Sequence, residues 1–412
     1  MKLSTQPYKG TRDFYPEDMR VRKWMFDKWR QACESFGYEE YDGPILEPLE
    51  LFASKTSDEI VNEQTYSFTD RGDRKVVMRP EMTPTVSRMV AAKRQELGYP
   101  LRLYSIPNCF RYERPQKGRL REFWQLNADI FGVIGTEADI EVIMLADAIM
   151  KLFGAKPDQY QIQISSRKIV QDIFDELNLL DDQRKDIVTL IDKKEKIEKQ
   201  EWENLFYEVL EKNTADKILE FLRKDETPVN ANKVIQELKQ RGIKNVVFNR
   251  YLARGFEYYT DIVFEVFDTN SENNRSMFGG GRYDGLVGQF GVEPVPTVGF
   301  GMGDATLQNF LESNNLIPEL NTQTNIYIAT IGDAVFGAQD VAQELRNKGM
   351  NVAIDLSGKK LDKQIKTADK KGVKNVLFVG EEELKTQKYK LKNLETGDEQ
   401  TLSVKEIAEK LS

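Results

Sequence analysis

From Asp18 to Phe36 apolar and aromatic residues recur at helical spacing, at Val21, Trp24, Met25, Trp29, Ala32 and Phe36, and Gly37 stands where a helix stop is expected. The spacing predicts an amphipathic helix. Residues 101 to 131 carry a different pattern. Two runs rich in β-formers, Leu101 to Tyr112 and Arg121 to Phe131, flank a Pro115-Gln116-Lys117-Gly118 turn, which predicts antiparallel strands joined by a long loop. After Pro157 comes a short strand, Tyr160 to Ile164, and then a long charged helical stretch. Its Lys193-Lys194-Glu195-Lys196-Ile197-Glu198-Lys199 run reads as a solvated helix face rather than a binding tract.

The strand pattern returns at Val246 to Phe248 and Tyr258 to Phe267, followed by a glycine-dense stretch from Gly279 to Gly303. From Asn325 onward, strand-like runs (Ile326 to Ala329, Val352 to Leu356, Val376 to Val379) alternate with helical stretches, Val335 to Lys348 and Leu361 to Lys371. That order is βαβαβ, a small parallel sheet with covering helices. The boundary falls near Pro318 to Thr324, where polar residues cluster without periodicity; there is no internal repeat or low-complexity segment.

Composition narrows the chemistry. The chain of 412 residues, 40% apolar, has room for two or three domains with a sizeable core. Its net charge of −8 argues against a wholly basic nucleic-acid coat and leaves room for a local patch. A histidine count of 0 removes His-dependent triads, HExxH zinc sites, Cys/His zinc fingers and the HIGH motif of class I aminoacyl-tRNA synthetases. Cys33 and Cys109 form no CxxC, so a reducing compartment is the default. No stretch approaches the length of an apolar membrane span, and the start lacks a signal-peptide core. A soluble cytoplasmic protein is expected.

Chemistry concentrates in Phe110 to Phe123, where Arg111, Arg114, Lys117, Arg119 and Arg121 surround one turn. Strand alternation puts Arg111 and Glu113 on one face, and Phe123, Gln125, Asn127 and Asp129 on one face of the return strand. A planar guanidinium suits phosphate oxygens and stabilises charge developing in a transition state, and a phenylalanine beside it offers a base a stacking platform. The alternative is a hydrated hairpin whose charges pair with one another. Both stay open on spacing alone.

This segment resembles motif 2 of class II aminoacyl-tRNA synthetases, and Arg114-Pro115-Gln116-x-Gly118-Arg119 is similar to that of the histidyl-tRNA synthetases. Arg254-Gly255-Phe256-Glu257-Tyr258-Tyr259-Thr260 resembles the Arg-Gly-Leu-Asp-Tyr-Tyr motif of the same family. Gly10-Thr11-Arg12-Asp13, Arg79-Pro80-Glu81-Met82-Thr83, Gly279-Gly280-Gly281-Arg282-Tyr283-Asp284 and Gly299-Phe300-Gly301-Met302-Gly303 complete an ordered set across nearly the whole chain. The resemblance implies an α+β class II catalytic core over residues 1–320, an antiparallel sheet flanked by helices, with a helical insertion at about 168–244. It further implies a C-terminal α/β anticodon-binding domain over 325–412. Asp42-Gly43-Pro44-Ile45-Leu46-Glu47 resembles motif 1, which in the family builds a homodimer interface.

The reaction so implied joins L-histidine to ATP as histidyl-adenylate and passes the amino acid to the 3′ end of tRNA(His). By resemblance, Arg111 bridges the histidine carboxylate and the α-phosphate, and Arg254 reaches the α-phosphate from the opposite side. Glu113 and Arg119 contact ATP and Phe123 stacks on adenine; Glu81, Thr83, Gln125, Asp129, Tyr258 and Tyr259 line the histidine pocket. Arg114 and Gln116 are assigned to the tRNA acceptor end. Magnesium travels with ATP, and no tightly bound protein metal is expected.

Individual residues keep plainer readings. The two tyrosines also suit sheet packing, glycines 279 to 281 a tight turn, and Glu81 or Asp129 a surface ion pair. The basic stretch Lys359, Lys360, Lys363, Lys366, Lys370, Lys371 and Lys374 is either a solvated helix or a tRNA contact. One departure stands out: the family's motif 3 carries Glu-Arg where this chain has Asp304-Ala305-Thr306-Leu307, so the arginine that grips the γ-phosphate is missing. Either another Arg or Lys rebuilds that contact or ATP binds more weakly. The gap keeps in view a non-catalytic paralogue, the histidine-sensing regulatory subunit of ATP phosphoribosyltransferase. The histidine-free composition extends to Tyr112 and Trp124, positions where relatives often carry His.

Overall fold

A computed structural model describes residues 3–53, 64–114, 118–194, 197–224, 226–252, 258–270 and 276–411. The chain divides into two compact units, one formed by Met1–Tyr15 with Arg22–Ile317, the other by Pro16–Val21 with Pro318–Ser412.

The first unit is built on a nine-stranded sheet. Its strands are β1 (Glu39–Glu40), β5 (Leu101–Ser105), β6 (Asn108–Phe110), β7 (Glu122–Phe131), β8 (Tyr160–Ser166), β9 (Val246–Phe248), β10 (Ile262–Asp268), β11 (Ser276–Arg282) and β12 (Thr297–Gly303). They lie in the order β1-β5-β7-β12-β11-β10-β8-β9, and β6 pairs with β7. The pairings are antiparallel through the middle and parallel at the two ends, β1 with β5 and β8 with β9. The sheet is therefore mixed, with an antiparallel centre. The run predicted from Leu101 to Tyr112 is broken at Ile106-Pro107 into β5 and β6, because proline cannot donate to the ladder.

Alternation along β7 divides the sheet into two faces. Leu126, Ala128 and Ile130 are buried on one, beneath helices that include Pro16–Ser35, whose Trp29 Nε1 donates to Met302 Sδ at 3.1 Å. Gln125, Asn127 and Asp129 point to the other, and so form the polar row on which the candidate site is built. The predicted stop of the first helix holds, with Gly37 at φ +77°.

Between β8 and β9 run five described helices, Arg167–Glu176, Asp181–Asp192, Lys199–Val209, Lys212–Arg223 and Val229–Gln240. They enclose their own apolar cluster, with Phe174, Ile187, Trp202, Phe206, Ile218 and Leu222 at its centre. The Lys193–Lys199 run falls where one α-helix ends at Asp192 and the next begins at Lys199; residues 195 and 196 of it lie outside the described set. A smaller sheet, β2 (Leu46–Pro48), β3 (Tyr66–Thr69) and β4 (Lys75–Met78), lies in the order β2-β4-β3.

The second unit carries β13 (Ile326–Thr330), β14 (Val352–Ile354), β15 (Asn375–Val379), β16 (Tyr389–Asn393) and β17 (Glu399–Leu402) in the order β14-β13-β15-β16-β17. The first three are parallel, as the βαβαβ pattern predicts; β16 and β17 add an antiparallel hairpin, which corrects the reading of a purely parallel sheet. Its outward lysines disguised it. Lys390 and Lys392 face solvent and pair with Glu399 at 3.3 and 2.9 Å, while Tyr389 and Leu391 turn into the core.

Candidate active site

The hairpin of β6 and β7 is fixed from behind by a buried arginine. Arg79 Nε donates to the Asn108 carbonyl at 2.9 Å, and its Nη1 reaches the Gly43 carbonyl at 2.6 Å and Asp42 Oδ1 at 3.0 Å. Pro80 then presents its carbonyl to Arg111 Nε at 2.9 Å. This aims the Arg111 guanidinium over the Phe123 ring, 5.4 Å from its centroid. Glu113 lies between two arginines, 3.9 Å from Arg111 and 3.6 Å from Arg119. The mutual charge pairing left open by the sequence is therefore partly realised, but the contacts are long and Arg119 is 64% exposed, so its guanidinium remains available to an anion. Arg121 turns away: it stacks on Tyr112 at 4.0 Å and donates to Tyr8 Oη at 2.9 Å. Arg114 is exposed at the start of the loop. Gln116 and Arg254 lie outside the described residues.

Register converts the scattered glycines into a surface. Asp129 pairs with Gly299 and Gly299 with Gly281; one step along, Asn127 pairs with Gly301 and Gly301 with Gly279. Four glycines on two neighbouring central strands thus share one face, and they leave a side-chain-free floor. Side chains from the flanking strands lean over it. A Cβ on Gly299 would fall 1.8 Å from Asp129 Oδ1, and one on Gly301 2.5 Å from Gln125 Nε2. From the other side, a Cβ on Gly281 would meet Tyr259 Cδ1 at 3.0 Å, and one on Gly279 would meet Glu265 Cγ at 3.0 Å. Gly279 and Gly281 are held more strictly by the carbonyls of Phe264 and Ile262, 2.2 and 2.5 Å from such a Cβ; real Cβ atoms essentially never come within 3.0 Å, which is why all four positions are glycine. Gly280 faces the opposite side, against Phe300.

At one end of this floor the aromatic motif gathers around two buried acids. Tyr283 Oη donates to Asp129 Oδ1 at 2.5 Å, and Tyr258 Oη donates to Glu81 Oε2 at 3.3 Å. Tyr258 packs against Tyr259 and Tyr283, with ring centroids 4.9 and 5.5 Å apart. Thr83 begins the helix Thr83–Ala92 two residues after Glu81, half-exposed. Burial pushes the Asp129 carboxyl up to about 7, with the Tyr283 hydroxyl only partly opposing it. Burial, and the neighbouring Asp129, raise the Tyr283 hydroxyl well above its ordinary value, so it stays a donor. A carboxyl poised near neutrality among phenols can accept from, or share a proton with, an imidazole.

The other end points toward Phe123 and the arginines. Here Thr306, in the place of the missing motif 3 arginine, donates to the Met277 carbonyl at 2.8 Å, with the Gly303 carbonyl at 3.1 Å. A Cβ on Gly118 would lie 3.2 Å from Thr306 Cγ2, so this side chain sits directly against the motif 2 turn. The adjoining Asp304 is buried and tied down. It accepts from Arg12 at 2.6 Å and from the Trp124 amide at 3.0 Å, which gives the Gly10–Asp13 motif a supporting role.

The structure thus brings together Glu81, Arg111, Glu113, Arg119, Phe123, Gln125, Asp129, Tyr258 and Tyr259 on or beside one sheet face, with Thr83 at the adjoining helix start. Asn127, which bonds Gln125 Nε2 at 2.6 Å, and Tyr283 were not singled out as site residues from sequence. Period-2 alternation identified the face for Asn127; for Tyr283 the signal was its place two residues after the glycine run.

A family model described as histidyl-tRNA synthetase matches residues 10–307, and one described as an anticodon binding domain matches residues 325–412. A histidine–tRNA ligase of Leptospira biflexa is 42% identical over 100% of this chain and 98% of its own length. One of Pyrococcus furiosus is 34% identical over 97% of each. The fold is also that of a histidyl-tRNA synthetase from Nostoc sp. PCC 7120, with a TM-score of 0.79 over 100% of this chain and 99% of the other at 24% identity.

Proposed function

The chain belongs to the histidyl-tRNA synthetase family, and from that premise we infer that it is a histidine–tRNA ligase, an ATP-dependent enzyme that activates L-histidine and transfers it to tRNA. The observation that carries the residue assignments is the glycine floor, with acids and phenols at one end and arginines beside a phenylalanine at the other.

In the first step a histidine carboxylate oxygen attacks the α-phosphorus of ATP, a phosphoanhydride oxygen leaves with pyrophosphate, and the mixed anhydride forms. Arg111 neutralises charge on the carboxylate and the α-phosphate as they approach, and Arg254 is assigned the opposite side by resemblance. The imidazole takes the end held by Asp129, Tyr258, Tyr259 and Glu81, and Thr83 and Gln125 serve the α-ammonium side. Phe123 stacks on adenine, while Glu113 steadies Arg111 and Arg119. With Thr306 in place of the motif 3 arginine, the exposed Arg119 is the cation assigned to the outer phosphates. Magnesium enters with ATP as part of the nucleotide substrate. In the second step a terminal ribose hydroxyl of the tRNA attacks the acyl carbonyl and AMP leaves; Arg114 and Gln116 are assigned to the acceptor end.

Further assignments rest on surfaces. A homodimer through the Asp42–Glu47 region is supported by exposed Ile45, Leu46 and Phe68 around β2 and β3. Residues 1–320 form the catalytic domain, with the helical insertion at about 168–244, and 325–412 the anticodon-binding domain. Work in the cytoplasm fits two free, buried cysteines, and no described helix is long and apolar enough to cross a membrane. The regulatory-subunit reading is not favoured: Arg111 and Arg119 are present, and the family match extends through the tail.

The test is exchange of pyrophosphate into ATP. Exchange is expected with histidine and not with other amino acids, and to fall at least about a hundredfold in Arg111→Ala and in Arg254→Ala, as for removal of a transition-state charge contact. Histidine binding without exchange in the wild-type protein would refute the enzyme reading.

A further inference from the structure

Tyr41 and Ser105 extend the polar row of the site onto the edge of the sheet. Glu40 on β1 pairs in parallel with Tyr104 on β5, and the Tyr41 amide donates to the Tyr104 carbonyl at 2.8 Å, so one step further along both strands brings Tyr41 beside Ser105. Ser105 in turn pairs with Asn127. Paired residues share a face, and Tyr41 and Ser105 therefore lie on the side of the sheet that carries Asn127 and Asp129. The Tyr41 ring packs on the apolar cluster of Val86, Val90, Phe131 and Val295, and Phe131 is two residues beyond Asp129 on the same face.

Packing explains the ring but not its hydroxyl. Tyr41 Oη and Ser105 Oγ are both shut off from solvent, and among the described residues neither has a hydrogen-bond partner. Buried hydroxyls in that state cost stability that phenylalanine at 41 and alanine at 105 would spare. The group beside them is Asp129. Burial, and after it Asp129, raise the Tyr41 phenol well above its ordinary value; the Ser105 hydroxyl, near it but short of hydrogen-bond geometry, opposes them in part. The Tyr283 phenol, raised first by burial and by Asp129, also feels Tyr41, so the three groups share one corner of the site. In the strand order Asp129 on β7 stands between them, with Tyr283 on the β11 side and Tyr41 on the β1 side. The other titratable groups around this corner are Tyr258 with its partner Glu81, Tyr38 just before β1, and Cys109 on β6. Burial and then Glu141 raise Tyr38, and burial pushes the Cys109 thiol up to about 12. None of these carries positive charge.

We propose that Tyr41, backed by Ser105, is a positioning residue for Asp129: as the carboxyl ionises, the two hydroxyls turn toward it and favour the charged form that accepts an imidazole N–H. The proposal rests on the reading of Asp129 as the imidazole acceptor of an adenylating site. Hydroxyl hydrogens rotate to suit a partner, so the pair answers a charge that forms beside it without movement of the strands.

The test is the pH profile of kcat/KM for histidine in pyrophosphate exchange at saturating ATP, for wild type, Tyr41→Phe, Ser105→Ala and Asp129→Asn. Such a profile follows ionisations of the free enzyme and the free substrate, and the substrate's own is common to all four proteins. Without the Tyr41 hydroxyl the charged form of Asp129 is harder to reach. The acid limb of Tyr41→Phe is therefore expected to move up by about half to one pH unit, with the plateau at high pH within about twofold of wild type and the KM for ATP unchanged. Ser105→Ala is expected to move the limb in the same direction by less, and supplies the reading if Tyr41→Phe fails to fold. Asp129→Asn is expected to lack the limb that moves. Urea unfolding reads the same shift without activity: a carboxyl raised further keeps its proton to higher pH, so Tyr41→Phe is expected to lose more stability than wild type between about pH 7 and pH 8. Superimposable acid limbs in wild type and both hydroxyl variants overturn the proposal. So does a Tyr41→Phe that gains stability equally at every pH, which would make Tyr41 a packing residue alone, and so does a limb that persists in Asp129→Asn. Absence of exchange in wild type with every amino acid would instead sink the adenylation reading, and the unfolding curves would still decide whether Tyr41 acts on Asp129.

Discussion

Asp129→Asn separates what a buried carboxyl does for binding from what it does to stability. Asp129 is 3% exposed, and the only side-chain hydrogen bond it makes among the described residues is the one from Tyr283. Burial raises its folded value from 3.8 to about 7. An acid whose folded value is raised holds its proton in the folded chain after the unfolded chain has released it. Its contribution is therefore least unfavourable below the unfolded value and worsens as pH rises toward 7. Over that window wild-type stability falls with rising pH, by roughly 2–3 kcal/mol between pH 5 and pH 8. Asparagine carries no such proton. Its carbonyl still accepts from Tyr283, and any unpaired amide donor costs about 1–3 kcal/mol, equally at every pH.

The expected result is that the stability difference, variant minus wild type, shifts in favour of Asp129→Asn by roughly 2–3 kcal/mol from pH 5 to pH 8. Urea unfolding followed by tryptophan fluorescence reads this directly. All four tryptophans, Trp24, Trp29, Trp124 and Trp202, lie in the first unit, so the signal does not include the second. Asp139, which burial raises to about 6 beside Arg282, titrates in both proteins and cancels in the difference. Parallel stability–pH curves for the two proteins would refute the assignment of a buried proton to Asp129. In the exchange assay the same variant is expected to raise the KM for histidine at least tenfold and leave that for ATP nearly unchanged.

Gly301→Ala places a methyl group against the flexible end of Gln125, so it is expected to fold and to raise the histidine KM by about tenfold, whereas Gly299→Ala, which also meets the Ala128 carbonyl at 2.8 Å, is expected to lose soluble protein or unfold at markedly lower urea. In the second unit Lys363, Lys366 and Lys370 are exposed on the helix Leu361–Lys370, while Lys374 is paired with Glu395 at 2.9 Å. Lys363→Glu/Lys366→Glu is therefore expected to raise the KM for tRNA severalfold, more so at low salt, with ATP–pyrophosphate exchange unchanged; unaltered aminoacylation kinetics would assign these lysines to solvent.

The polar row Phe123, Gln125, Asn127 and Asp129 was legible because alternation on a strand needs only local sequence. What faces that row was not. Gly299 and Gly301 lie far along the chain, and a lone Gly-x-Gly-x-Gly carries little information until register sets it beside Asp129 and Asn127. Tyr283 entered only as part of the Gly279–Asp284 motif; that its hydroxyl meets Asp129 depends on the sheet order. Glu265, in the run Val-Phe-Glu-Val-Phe, has the pattern of any outward residue on a half-buried strand. Tyr112 and Trp124 sit against guanidinium groups, Arg121 at 4.0 Å and Arg22 at 4.3 Å, a stacking role open to any aromatic ring.

The site faces a conflict that its surroundings resolve. Glycines in central strands weaken a sheet, and a buried Asp129 disfavours the folded chain increasingly as pH rises. Both features follow from letting a flat substrate lie directly on backbone with its polar groups met from the sides. The compensation lies one layer out, where ion pairs and carbonyl contacts hold each strand end. Arg282 joins Asp139 at 2.5 Å and the carbonyls of Val133 and Gly135, at the end of the strand that carries Gly279 and Gly281. Arg12 and Asp304 anchor the end of β12, and Arg79 anchors β6 to the Asp42–Gly43 turn. These arginines are too buried or too fully engaged to meet substrate, yet they occupy motifs as distinctive as those that do. Their task is to keep a weak, glycine-floored surface in register, because a one-residue slip of β12 against β7 would set Phe300 where Gly299 must be.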